Sequence, residues 1–131
     1  MMRPLFAARA LPALVGAAWE VARLAREVPV HELPERLRRA PAPLPAALCQ
    51  PAELARLVDR CAPFLPPRRL GPCLRKALIL FALWARCGLA PKLHLGARSR
   101  QEREKCPDFH AWVSAGALEY GRGEHKELWS G

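Results

Sequence analysis

The sequence predicts an α+β fold, with helices in the first two thirds of the chain and a small antiparallel sheet after them. Apolar residues recur at helical spacing between Pro and Gly breakers up to residue 88. The spacing then changes to alternation in "KLHLGA", residues 92–97, which is typical of a strand. A chain of 131 residues that is 51% apolar is long enough to form one domain around its own core. Helices followed by strands indicate the α+β class.

The first predicted helix covers residues 7–27 and ends before Pro29. We expect it to turn these side chains toward the core: Leu11, Leu14, Val15, Trp19, Ala22 and either Leu24 or Val28. A shorter second helix is predicted in "HELPERLRRA", residues 31–40, because Pro34 is tolerated in a first turn.

The segment "PAPLPAALCQP", residues 41–51, is too rich in proline to stay helical. It predicts an extended strap across the surface, or a soft boundary near residue 45. We therefore expect residues 1–45 to form a helical region that packs on a core of residues 46–131, in one compact domain overall.

Two more helices follow. The third is predicted from Pro51 to Cys61, with proline at the first helical position. The fourth runs from about Cys73 to Arg86, and Gly88 ends it. This fourth helix is apolar on both faces, so we expect it to be buried on several sides.

Three strands are predicted: "KLHLGA", "FHAWVSA" (residues 109–115) and "ALEYG" (residues 117–121), the last two joined by a turn at Ala115-Gly116. Residues 98–108 read as a charged loop. The tail, residues 122–131, is expected to be irregular or to hold one short strand or helix.

The net charge and the cysteine content indicate which partners and which cellular compartment to expect. The formal net charge of +9 favours anionic partners, although the basic residues are scattered and often lie beside Glu, as on an ordinary solvated surface. The five cysteines lack the spacing of a disulfide framework, which predicts free thiols in a reducing cytoplasm. Arg9 and Pro12 interrupt the apolar N-terminus, so we expect a core helix there rather than a signal peptide or a membrane span.

The candidate chemistry centres on Cys73. A thiol at a helix start lies near free backbone N–H groups and the positive end of the helix dipole, which favour the thiolate. A nucleophile also needs a base, and His110 begins a predicted strand. Glu119 and Glu124 are the carboxylates available to orient that histidine. The same residues are also typical of a buried core thiol and a structural histidine.

The stretch "CLRKALILFALWARCGLAPKLHLGARSR...DFHAWV" resembles the transglutaminase-like cysteine proteases that remove leader peptides in lasso-peptide biosynthesis. The resemblance covers roughly residues 50–121. It rests on three blocks in order: Cys73-Leu74-Arg75, Gly88-Leu89 with Leu93 to Gly96, and His110-Ala111-Trp112-Val113.

The resemblance implies a papain- or transglutaminase-like core with a Cys-His-Asp triad, in which Cys73 is the nucleophile and His110 the base. Where that family has its Asp, this chain has Arg122. Glu119 is the nearest stand-in for the third member, and Glu124 is the second choice.

Two further positions bear on the resemblance. The family tryptophan lies beside the catalytic ring, so Trp112 is expected to pack there and to contact substrate. The family usually has Glu after its His-Ala-Trp-Val block, and this chain has Ser114.

The implied function is a cysteine endopeptidase that needs no cofactor and no metal. Its implied partners are the precursor peptide, a separate leader-binding protein and an ATP-dependent macrocyclase. Three alternatives stay open: a catalytically inactive peptide-binding scaffold of the same fold, a basic nucleic-acid-binding protein, and a zinc site. The zinc site would use Cys87, His94, Cys106 and His110, whose spacing lacks the paired C-x-x-C pattern.

Overall fold

A computed structural model of the chain describes residues 4–39, 42–97, 109–120 and 126–131. Within these ranges four α-helices precede a four-stranded antiparallel sheet, so the α+β prediction is confirmed. The elements are α1 Pro4–Glu27, α2 Leu33–Arg38, α3 Pro51–Cys61, α4 Pro72–Arg86, β1 Lys92–Ala97, β2 Phe109–Ala115, β3 Leu118–Tyr120 and β4 Lys126–Ser130. Short 3₁₀ turns cover Val30–Glu32, Ala46–Leu48 and Ala62–Phe64.

Helix α4 is the centre of the core. Every residue from 77 to 84 is buried, because α1, α2 and α3 pack around the helix and β2 crosses its remaining side. The helix ends in a left-handed turn at Gly88, whose φ is 79°. The N–H groups of Gly88 and Leu89 donate to the carbonyls of Ala85 and Trp84, at 3.1 and 3.2 Å. This turn directs the chain into β1.

Helix α1 packs on α4 with a different face from the one predicted. Leu11 and Trp19 were expected in the core, but they are 43% and 62% exposed. The buried residues of α1 are Phe6, Ala10, Leu14, Ala17, Ala18, Val21, Ala22 and Leu24. Most of the circumference of this helix is apolar, so hydrophobicity alone does not fix its rotation. The small alanines permit a close approach to its neighbours, and the two larger side chains are left outside.

By length and mean hydropathy (1.4), α1 would also satisfy the criterion for a membrane span. A core helix and a signal sequence can pass the same test.

The segment after α2 crosses the C-terminal end of α4 as an extended strap. The Leu44 N–H donates to the Arg86 carbonyl at 2.9 Å, and Arg86 Nε donates back to the Ala42 carbonyl at 2.8 Å. Leu44 and Leu48 are buried in the same hydrophobic cluster as α1 and α4.

The sheet has the order β3-β2-β1-β4, and its register decides which side chains share a face. Leu93 lies opposite Val113, and both are buried in the core. Their neighbours His94 and Trp112 also lie opposite each other, and alternation places that pair on the other face of the sheet. The tail forms the edge strand β4, whose pairing with β1 is interrupted between Leu95 and Gly96.

Candidate active site

The sequence around Cys73 builds an open helix start. Gly71 is the N-cap and forms no side-chain cap hydrogen bond, while Pro72 fills the first helical position. Cys73 follows directly, where backbone N–H groups have no acceptor inside the helix. The half-buried free thiol therefore lies at the positive end of α4, which favours negative charge.

Cys73 and His110 line the same cleft. The cleft has a volume of about 150 Å³ and lies between α3, α4 and β2. Its walls are largely apolar. The residues that line it are Ala55, Val58, Asp59, Cys73, Lys76, Ala77, Leu80, His110, Ala111, Trp112, Val113 and Tyr120. The fold thus unites the predicted nucleophile and base, which are distant in sequence.

The cleft meets the sheet at an edge. In the described part of the chain, β3 pairs with β2 only from Val113 to Ala115. The stretch of β2 from His110 to Trp112 therefore borders the cleft along its edge, and residues from both faces of β2 line the cavity. Tyr120, the last residue of β3, closes one side and packs edge-to-face on Trp84 at 5.6 Å.

Two histidine rings stack on the indole of Trp112. The His110 and Trp112 ring centroids are 6.2 Å apart with an interplanar angle of 25°, and those of His94 and Trp112 are 5.4 Å apart at 10°. Trp112 is buried. His94 Nε2 lies 2.5 Å from Ser114 Oγ in a hydrogen bond. The expected packing of Trp112 beside the histidine is thus observed.

The structure places Glu119 away from His110. Glu119 lies opposite Ser114, and Ser114 is four residues along β2 from His110. At about 3.3 Å per residue, this register separates the two backbones by about 13 Å. Glu119 is therefore nearer to Ser114 than to the predicted base. Glu124, the second choice for the acid, lies outside the described residues.

A comparison with known protein families decides the class. The family model described as the transglutaminase-like superfamily matches residues 11–126. The chain belongs to the transglutaminase-like superfamily. No curated protein and no solved structure matches it. The superfamily includes cysteine peptidases as well as transglutaminases. In both, a cysteine thiol accepts the acyl group, and the acceptor that follows decides the product.

The mouth of this transglutaminase-like cleft carries one ion pair that the sequence did not point to. Lys76 Nζ of α4 lies 3.5 Å from Asp59 Oδ1 of α3, with side chains 40% and 69% exposed. Water screens such a pair, so it contributes little to stability. It places both signs of charge at the cleft.

A second thiol at the far end of α4 has a packing role. Burial, together with a smaller effect of a hydrogen bond with Cys49, raises the pKa of Cys87 to about 12. Cys49 Sγ in turn lies 3.7 Å from the Leu44 carbonyl oxygen. Cys87 is therefore protonated at neutral pH and is a poor nucleophile.

Nothing among the described residues forms a metal site. No three His, Cys, Asp or Glu side chains in those ranges are grouped to hold an ion. Of the four zinc candidates, Cys87 contacts Cys49, while His94 and His110 stack with Trp112. The remaining candidate, Cys106, lies outside the described ranges.

Proposed function

We propose that this chain is a cytoplasmic cysteine endopeptidase that removes the leader from a ribosomally made lasso-peptide precursor. The observation that carries the proposal is the cleft shared by Cys73 and His110. The superfamily supports acyl transfer through a cysteine. The "CLR" and "HAWV" blocks support leader removal in particular, and Cys73 of the first block and all four residues of the second line that cleft.

In the proposed mechanism, His110 accepts the proton of the Cys73 thiol. The thiolate attacks the carbonyl carbon of the scissile peptide bond. The backbone N–H of Cys73, at the positive end of α4, stabilises the oxyanion of the tetrahedral intermediate. His110 then gives its proton to the departing amine, and water hydrolyses the thioester. The products are a leader with a new carboxylate and a core peptide with a free amine.

The chain acts with partners in this proposal. A separate leader-binding protein presents the precursor, and an ATP-dependent macrocyclase joins the freed amine to an Asp or Glu side chain. The basic surface meets an acidic leader or the leader-binding protein, an attraction that salt weakens. Many described arginines are already paired with Glu, for example Arg23 with Glu20 at 2.6 Å and Arg56 with Glu53 at 2.8 Å. Such neutralised pairs favour a peptide or protein partner over nucleic acid.

The test combines the purified chain with the precursor and the leader-binding protein encoded beside it, and uses mass spectrometry to detect a leader fragment. Wild-type protein should cleave, and Cys73→Ala should reduce the rate by at least about 10³-fold. Cys61→Ala is the matched control, because Cys61 is a half-buried free thiol that does not line the cleft. An intact precursor in the presence of bound partners would refute peptidase activity.

An inactive peptide-binding scaffold is the second candidate, and the position of Glu119 opposite Ser114 favours it. In that case wild-type protein and Cys73→Ala would bind the precursor equally, and neither would cleave it. Binding measured by calorimetry alongside the cleavage assay separates the two functions.

A further inference from the structure

The face of the sheet away from α4 carries four polar or aromatic side chains that are linked by successive contacts. His110, Trp112 and Ser114 lie on the same face of β2, since they are separated by two residues each. His94 of β1 lies directly opposite Trp112. We call these four residues the ring stack.

The contacts within the ring stack are specific. The imidazole of His94 is nearly parallel to the Trp112 indole, at 10°, and its Nε2 is hydrogen-bonded to Ser114 Oγ at 2.5 Å. The hydrogen bond restricts rotation of that imidazole, so a flat surface is held against Trp112. Trp112 is 1% exposed and has little room to tilt.

The other end of the stack is the proposed base. His110 packs on Trp112 at 25° and lines the cleft together with Cys73. The χ2 torsion of histidine has broad minima, so the groups that contact the ring, Trp112 among them, decide the direction of its nitrogens. His110 reaches the cleft from the edge of β2. The tilt of its ring therefore controls whether a nitrogen faces the thiol.

We propose that His94 and Ser114 are positioning residues that orient the His110 ring through Trp112. Neither acts on the substrate. The Ser114 hydroxyl holds the His94 imidazole, the imidazole holds the indole, and the indole sets the plane of the proposed base. The catalytic part of this proposal rests on the peptidase function proposed above, whereas the geometric part does not.

The experiment uses the full chain and three variants. His94→Leu removes the flat ring, His94→Phe keeps the ring and loses the hydrogen bond, and Ser114→Ala loses the hydrogen bond alone. His31→Leu is the matched control, because His31 is exposed in the turn before α2. Each variant is assayed for kcat and KM with the precursor peptide. The chemical shift of the His110 Cε1 proton, at the high-pH plateau of a titration, reports the ring position without substrate.

His94→Leu should lower kcat by about 10- to 100-fold, because a small displacement of a catalytic group has an effect of that size. Its KM should stay within about threefold of wild type, and the His110 shift should move. His94→Phe and Ser114→Ala both keep a ring on Trp112 and both lose the hydrogen bond, so each should lie between His94→Leu and wild type in kcat and in the His110 shift. The control should change neither quantity.

A His94→Leu variant with wild-type kcat and an unmoved His110 signal would overturn the proposal. Equal losses of kcat in His94→Leu and His94→Phe, in proportion to their losses of thermal stability, would also overturn it, because that outcome indicates a packing role alone. If His94→Leu does not fold, Ser114→Ala decides by the same two readouts. If the wild-type chain cleaves nothing, the peptidase function fails, while the His110 signal still tests the positioning.

Discussion

Replacing Gly88 with alanine isolates the backbone conformation that ends the central helix. Gly88 has φ of 79°, and a Cβ built on it meets no atom within 4 Å. The added methyl group therefore costs nothing in packing, and the whole penalty comes from the left-handed backbone. That penalty is about 1–2 kcal/mol. For a chain of this length it corresponds to a fall in Tm of roughly 4–7 °C.

Gly16→Ala is the matched control. Gly16 lies in α1, where an added Cβ also meets nothing within 4 Å and where φ is helical. Alanine should stabilise this position by about 0.5–1 kcal/mol. Urea denaturation followed by circular dichroism measures both variants, and equal m values would show that only the free energy of unfolding has changed.

The two substitutions should move the urea midpoint in opposite directions, although both add one methyl group to open space. The Gly88→Ala variant should keep its cleavage rate per folded molecule. Helix α4 has 15 residues, so Cys73 is about 20 Å from the turn. A neutral or stabilising Gly88→Ala would show that the left-handed turn does not define the end of α4, and would refute the reasoning.

Two further predictions concern buried groups. Trp84→Phe should lower the free energy of unfolding by about 1–3 kcal/mol, because it removes the indole N–H that donates to the Pro51 carbonyl at 3.3 Å. Urea denaturation measures this change, and an unchanged midpoint would contradict the prediction. Cys87 should resist iodoacetamide at pH 8 while Cys61 reacts, and peptide mapping of the labelled protein can show this. Equal labelling of the two cysteines in the folded protein would contradict the raised pKa of Cys87. Because the pKa of Cys87 is raised from 9.0 to about 12, the unfolded chain loses this proton first as pH rises. The contribution of this thiol to stability should therefore be complete below pH 9 and be lost between pH 9 and 12.

The helices were predictable because proline and glycine mark their ends. The predicted bounds of α3 are those observed, Pro51–Cys61, and α4 begins one residue before the predicted start. The rotation of α1 was not predictable from hydrophobicity, since Leu11 and Trp19 are as apolar as the residues that it buries. Its rotation depends on the fit of alanines against other helices, which is tertiary information.

Local signals sufficed to place Cys73 at a helix start and His110 near a strand start, because both are read from neighbouring residues. The position of Glu119 relative to His110 depended on the register between β2 and β3. The turn predicted at Ala115-Gly116 would place Glu119 opposite Trp112, but the observed turn is one residue later and places it opposite Ser114. Closing a hairpin one residue later shifts every pair by two residues.

The His94–Ser114 contact had no local signal. It follows from the pairing of β1 with β2, and these strands are separated by residues 98–108. Loop length and composition do not fix the register of strands separated by so long a segment.

The central position of α4 also determines which parts of the site can fluctuate. Residues 77–84 are covered on all sides, so their amides can exchange with solvent only when the whole domain opens. Cys73 lies one turn from this protected block, on the same helix. The opposite wall of the cleft is the edge of a sheet that ends in a three-residue strand, β3. Opening of the cleft is therefore expected at the sheet edge, while the helix that carries Cys73 belongs to the last part of the molecule to unfold.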